Sequence, residues 1–152
     1  MTFDLGVHQL RAAYRAGSLS CSQVIDDILK RIAAAGDDKV WINRTADADL
    51  RAAATKLDAL RGEIDKLPLY GVPFAVKDNI DVAGLPTTAA CPGFAYTPTK
   101  SAAVVQQLVD AGAIVIGKTN LDQFATGLVG VRSPYGVPRN PFDAAYVPGG
   151  SS

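Results

Sequence analysis

The stretch SAAVVQQLVDAGAIVIGK, residues 101–118, decides the fold class. SAAVVQQLVDAG predicts a helix that ends on Gly112, and AIVIGK predicts a short buried strand directly after it. A strand is also predicted upstream, at Leu69–Val76, so the order is strand, helix, strand, with a crossover between the strands. That order specifies a parallel or mixed α/β sheet. Between the first strand and the helix runs a long loop, Asp81–Thr99, without strong periodicity, and such loops inside compact domains are usually functional or flexible. After Thr119 a short helix around LDQFA is predicted, followed by a loop carrying Pro134, Pro138, Pro141 and Pro148.

Upstream of Pro68 the texture is helical. Leu5, Leu10, Ala13 and Tyr14 form one apolar stripe that Gly17 stops. Ser20 is placed to cap CSQVIDDILKRIAAA, where Val24, Ile25, Ile28, Leu29 and Ile32 recur at helical steps before Gly36. VWIN, residues 40–43, has strand composition, and ADADLRAAATKLDALRGEID predicts a third helix with Leu50, Leu57 and Leu60 inward.

Composition sets the limits. The 152 residues are 48% hydrophobic, enough apolar content for a globular domain rather than a disordered chain. Fifteen basic against fifteen acidic residues leave no electrostatic footprint for nucleic acid or an anionic membrane. Apolar runs such as AIVI, residues 113–116, fall far short of a membrane span. Asp4 stands where a secretory leader would carry its basic start, so a cytoplasmic protein with reduced Cys21 and Cys91 is expected.

The chemistry narrows by elimination. His8 is the only histidine and has no metal-ligand or triad spacing around it, so it reads as a surface helix residue. Cys21 and Cys91 lack a neighbouring His or Lys and read as structural thiols. No dinucleotide or P-loop glycine pattern occurs in its required context. What remains is Lys77, at the end of GVPFAV, and the closing pair Ser151 and Ser152 after two glycines. Alone, the lysine reads as a solvated strand end and Gly-Gly-Ser-Ser as a flexible linker. Together they offer a serine with a base that needs no histidine, because a neutral lysine can accept a hydroxyl proton.

Three blocks, GVPFAVKDNIDVAGLPTTAACPGF, GAIVIGKTNLDQFATG and YGVPRNPFDAAYVPGGSS, resemble in order and spacing the first half of the amidase-signature family of Ser–cis-Ser–Lys hydrolases. The resemblance covers residues 69–152 and implies an α/β fold with a mixed sheet covered by helices, of which this chain is the N-terminal portion. Residues 1–67 would form an N-terminal helical region and residues 68–152 the first part of the core, ending within PGGSS. DQFATGLVGVRSPYGVPRNPFD is most similar to the branch that hydrolyses allophanate in urea degradation. The glutamyl-tRNA amidotransferase A branch instead has a DEFAMG-like block followed by a Ser/Thr-rich segment.

The resemblance also implies roles. Lys77 matches the family's catalytic base, and Ser151 matches the bridging serine, whose bond to Gly150 is cis in the family. Asp78, Asn79 and Gly150 would support them, and Thr126, Gly127, Leu128 and Val129 would line the acyl pocket. Arg132 is open to three readings: a substrate carboxylate, an ion pair with Asp143, or solvent. The family's nucleophilic serine and oxyanion amides lie in a later segment that no residue here matches, so the isolated 152 residues are expected to be inactive. No metal or organic cofactor is implied. The implied substrate is a small amide, allophanate, and the implied functional partner is urea carboxylase; a homodimer is compatible with the family. The alternatives are an amidase for another small amide, an amidotransferase of the glutamyl-tRNA A type, or a non-catalytic truncated remnant.

Overall fold

The computed structural model describes residues 3–152. Met1 and Thr2, which open the stretch read for a leader, lie outside the described residues. The elements are α1 (Val7–Ala16), α2 (Cys21–Ala35), β1 (Trp41–Arg44), α3 (Asp47–Ala59), β2 (Pro73–Lys77), α4 (Ala103–Asp110) and β3 (Ile114–Thr119). The chain divides into two compact units, one made of residues up to Gly36 with 45–74 and 106–116, the other of 37–44, 75–105 and 117–152.

The sheet has the order β1-β3-β2, with β1 antiparallel to β3. On the other side of β3, Ile114 N donates to Val72 O (2.9 Å) and Asp78 N to Thr119 O (3.1 Å), so β2 and β3 run in step and the sheet is mixed. In this central strand Ile114 and Ile116 are buried and Val115 is half-buried, so AIVI carries no polar alternation. Gly117 is required where β1 approaches. A Cβ there would sit 2.6 Å from Asn43 O and 2.9 Å from Arg44 Cα, beside the register shift between Trp41 and Asn43.

In the first unit α1, α2 and α3 bury Leu10, Tyr14, Val24, Ile25, Leu50 and Ala54. Ser20 and Gln23 close a reciprocal capping box on α2. Asp58 adds a second cap from α3, accepting from Cys21 N (2.8 Å), Ser22 N (3.1 Å) and Ser22 Oγ (2.6 Å). These donors outweigh the desolvation that raises the Asp58 carboxyl and hold it below its ordinary range. Burial pushes the Cys21 thiol up to about 12, so it is a packed structural thiol as expected. Both cysteines are free.

Three expectations are corrected. Leu60 is exposed, because α3 ends at Ala59 and a short 3-10 turn follows. The strand predicted from Leu69 starts at Pro73, since Leu69–Val72 turns through Gly71, whose φ is 65°. Around LDQFA only a 3-10 turn at Gln123–Ala125 forms, broken by positive φ at Phe124 (51°) and Ala125 (57°). Among the described residues no helix is long and apolar enough to cross a membrane.

Candidate active site

The site lies in the second unit, where β2 and β3 end. Lys77 is the last residue of β2 and half-buried, and its Nζ donates a hydrogen bond to Ser151 Oγ. Ser151 is joined to Gly150 by a cis peptide bond. Ser151 O accepts from Asp122 N at 2.5 Å. A cleft of ≈ 200 Å³ opens beside the serine, lined in part by Val40, Thr119, Asn120, Gly130, Pro148 and Ser151. Its walls are mostly apolar and small, which suits a compact ligand held by few polar groups.

Behind Lys77 is a charged pair that sequence reasoning missed in part. Asp78 and Lys118, one on each strand end, are both fully buried, with Lys118 Nζ 3.0 Å from Asp78 Oδ1. Nζ also donates to Thr87 Oγ1 (3.0 Å) and Pro86 O (3.2 Å). The ammonium thus has two hydrogen-bond acceptors and, in Asp78, a counter-charge. The other Asp78 oxygen, Oδ2, accepts from Thr88 N (3.0 Å) and Thr88 Oγ1 (2.5 Å). Asp78 Oδ1 has no well-aligned hydrogen bond and relies on the lysine's charge. The only signal for Lys118 in the sequence is a lysine inside the apolar run AIVIGK, which needs a buried carboxylate to be tolerated.

Facing this pair is strained backbone. Ala89 and Ala90 have φ of 50° and 55°, and Phe124 N donates to Ala89 O at 2.9 Å, so the four non-glycine residues with left-handed φ in this region meet. Such strain persists only where surrounding structure enforces it, and it clusters at functional sites.

The structure brings Lys77, Asp78, Gly150 and Ser151 together, while Asn79 is exposed. Gly127 is buried, and a Cβ there would overlap the Asp122 carboxylate. A Cβ on Gly150 would come within 2.6 Å of Leu128 C and Val129 N, so the 127–130 loop and the serine segment touch backbone to backbone. Thr126, Leu128 and Val129 are themselves exposed, Leu128 at 87%, and Thr126 Oγ1 donates to Gln123 O (2.8 Å). Arg132 is exposed as well. His8 is exposed on α1, and no group of His, Cys, Asp and Glu able to hold a metal occurs among the described residues.

Fold and contact together define a class: an α/β protein whose strand-end lysine meets a serine hydroxyl in a glycine-rich loop. The chain belongs to the amidase family, whose model, described as Amidase, matches residues 23–152. It is 51% identical over 137 residues to urea amidolyase of Saccharomyces cerevisiae, covering 90% of this chain and 7% of that protein. It is 38% identical over 156 residues to mandelamide hydrolase of Pseudomonas putida, covering 99% of this chain and 31% of that protein. A solved structure of Kluyveromyces lactis allophanate hydrolase superposes with a TM-score of 0.86 at 47% identity, covering all of this chain and 25% of that one. The chain therefore spans only a small part of the length of these relatives.

Proposed function

We propose that these residues supply the base and the proton relay of an amidase that hydrolyses allophanate by Ser–cis-Ser–Lys acyl transfer. The hydrogen bond between Lys77 Nζ and Ser151 Oγ carries the reading. A neutral Nζ accepts the Ser151 proton, and Ser151 Oγ in turn takes the proton of a nucleophilic serine that none of these 152 residues matches. That serine attacks the amide carbon of allophanate, its proton reaches the leaving nitrogen, and ammonia departs. Water then hydrolyses the acyl-enzyme, and the carboxylated product breaks down to ammonia and carbon dioxide. Urea carboxylase, which makes allophanate, is the functional partner on this reading, and the enzyme acts in the cytoplasm without a cofactor.

Similarity to both a urea amidolyase and an allophanate hydrolase supports the substrate. The segment GLVGVRS after DQFAT is not Ser/Thr-rich and does not favour the amidotransferase reading. The test is ammonia release by a complete amidase domain carrying these residues, assayed on allophanate, glutamine and simple carboxamides. Turnover highest on allophanate supports the proposal, and turnover only on another amide overturns the substrate. The 152 residues alone are expected to release no ammonia above buffer.

A further inference from the structure

The buried carboxylate of Asp122 is absorbed neither by the base nor by the relay. It is fully buried, its Oδ2 accepts from Gly130 N (2.9 Å) and its Oδ1 from Arg132 N (2.7 Å). Its own backbone N–H donates to Ser151 O. Gln123 N, the next donor along, binds Arg132 O at 3.0 Å. One residue therefore holds the loop at 130–132 through its side chain and the serine through its main chain.

The glycines around it leave no slack. Gly127 has room for no Cβ against the carboxylate, and a Cβ on Gly130, whose φ is 77°, would collide with Gly149 O. The loop and the PGGSS segment are thus stacked backbone on backbone, with Asp122 as the group bonded to both.

We infer that Asp122 is a positioning residue that fixes Ser151 against Lys77 by clamping the 130–132 loop to the serine segment. The inference rests on the reading of Lys77 and Ser151 as base and relay. It acts through backbone donors, so the acceptor capacity of both carboxylate oxygens is what matters, and an amide of the same shape cannot supply it. Burial pushes the Asp122 carboxyl up, but the N–H groups of Gly130, Arg132 and Val129, with the Arg132 charge, pull it further down, below the usual carboxylate range.

Two arms test this. In the 152-residue chain, the amide signals of Gly130 and Arg132 should titrate together on acidification, with a midpoint below the ordinary Asp value of about 3.9. Asp122→Asn should abolish that titration and speed hydrogen exchange at Gly130 and Arg132 while leaving the amide of Ile116 in β3 protected. Amides that titrate independently, or exchange that rises equally in β3, would overturn the clamp. In a complete amidase domain, Asp122→Asn should lower kcat about 100-fold, as expected for displaced reacting groups. KM should stay within about threefold, since substrate contacts are unchanged. A kcat unchanged, or reduced only by the unfolded fraction seen in circular dichroism, would refute the positioning role. If the unsubstituted domain releases no ammonia from any amide, the base-and-relay reading fails by itself, and the exchange arm still decides whether Asp122 holds Ser151.

Discussion

Two lysines end neighbouring strands of one small sheet, and their surroundings separate them. Lys118 on β3 is fully buried beside a carboxylate and donates to a hydroxyl and a carbonyl. Lys77 on β2 is half-buried, and its Nζ meets the Ser151 hydroxyl. A buried lysine beside a carboxylate, with a hydroxyl and a carbonyl as acceptors, is tied to its neighbours and serves as structure. A lysine facing a neutral hydroxyl has a partner with which it can exchange a proton. On the proposed reading, strand-end position alone does not make a lysine a base; the group its Nζ meets decides.

The largest effect should separate the two directly. In a complete amidase domain, Lys77→Ala should reduce ammonia release at least about 10³-fold, within the range for loss of a general base. The circular dichroism melt should stay close to that of the unsubstituted domain, because the side chain removed is half-buried and bonded to a hydroxyl rather than to a buried charge. Full activity in this variant would end the proposed mechanism. Loss of activity only in parallel with unfolding would make Lys77 a second structural lysine.

Lys118→Met should do the reverse, acting on stability first. It strands the Asp78 carboxylate in the interior, a loss of about 3–5 kcal/mol for a broken buried pair. A shift of the urea midpoint reads this. Adding Asp78→Asn should recover part of the loss, because a neutral amide no longer needs the ammonium. If Lys118→Met leaves the midpoint in place, the pair is not the anchor of these strand ends.

This contrast also explains which features were legible in the sequence. Lys77 and Ser151 stand in contiguous blocks, VKDN and PGGSS, whose local pattern carries the resemblance. The helices announced themselves through the 3.6-residue spacing from Val24 to Ile32 and the Ser20 cap, both local properties. Lys118 depends on β2 pairing with β3, a contact distant along the chain, and Asp122 on the 130–132 loop folding back onto it; no periodicity encodes either. LDQFA has helix-forming residues, yet the bond from Phe124 N to Ala89 O pulls it into left-handed backbone, a tertiary override of propensity. Leu60 has the spacing of α3 but lies past its end, where the periodic rule no longer applies.

A milder counterpart is Asp58, the partly buried cap of α2. Asp58→Ala removes three donors' acceptor and should cost about 1–2 kcal/mol at neutral pH, the upper range for a cap. Because its folded pKa is depressed, this stabilisation is complete above the unfolded value of about 3.9 and is lost as pH falls through the lower folded one. The difference between the unsubstituted chain and the variant, measured by urea denaturation, should therefore be constant from pH 7 to 5 and shrink below pH 4. A constant difference down to pH 2 would mean that the carboxylate's charge plays no part in the cap.

The smallest effect belongs to an exposed ion pair, and it completes the scale set by Lys118. Arg15 meets Asp65 at 2.7 Å, with side chains 53% and 79% exposed, a distance even shorter than the 3.0 Å of the buried pair. Distance alone would rank Arg15 first. Water reverses the order, because solvent screens both charges, and ordering the long arginine side chain offsets what attraction remains. Arg15→Ala should therefore cost about 0–1 kcal/mol. That cost should fall further on adding 0.5 M NaCl, whereas the cost of Lys118→Met should not, since salt does not reach a pair with no exposed surface. Equal salt dependence for the two variants would show that the Lys118–Asp78 pair is open to solvent, and the assignment of Lys118 to structure rather than proton transfer would fall with it.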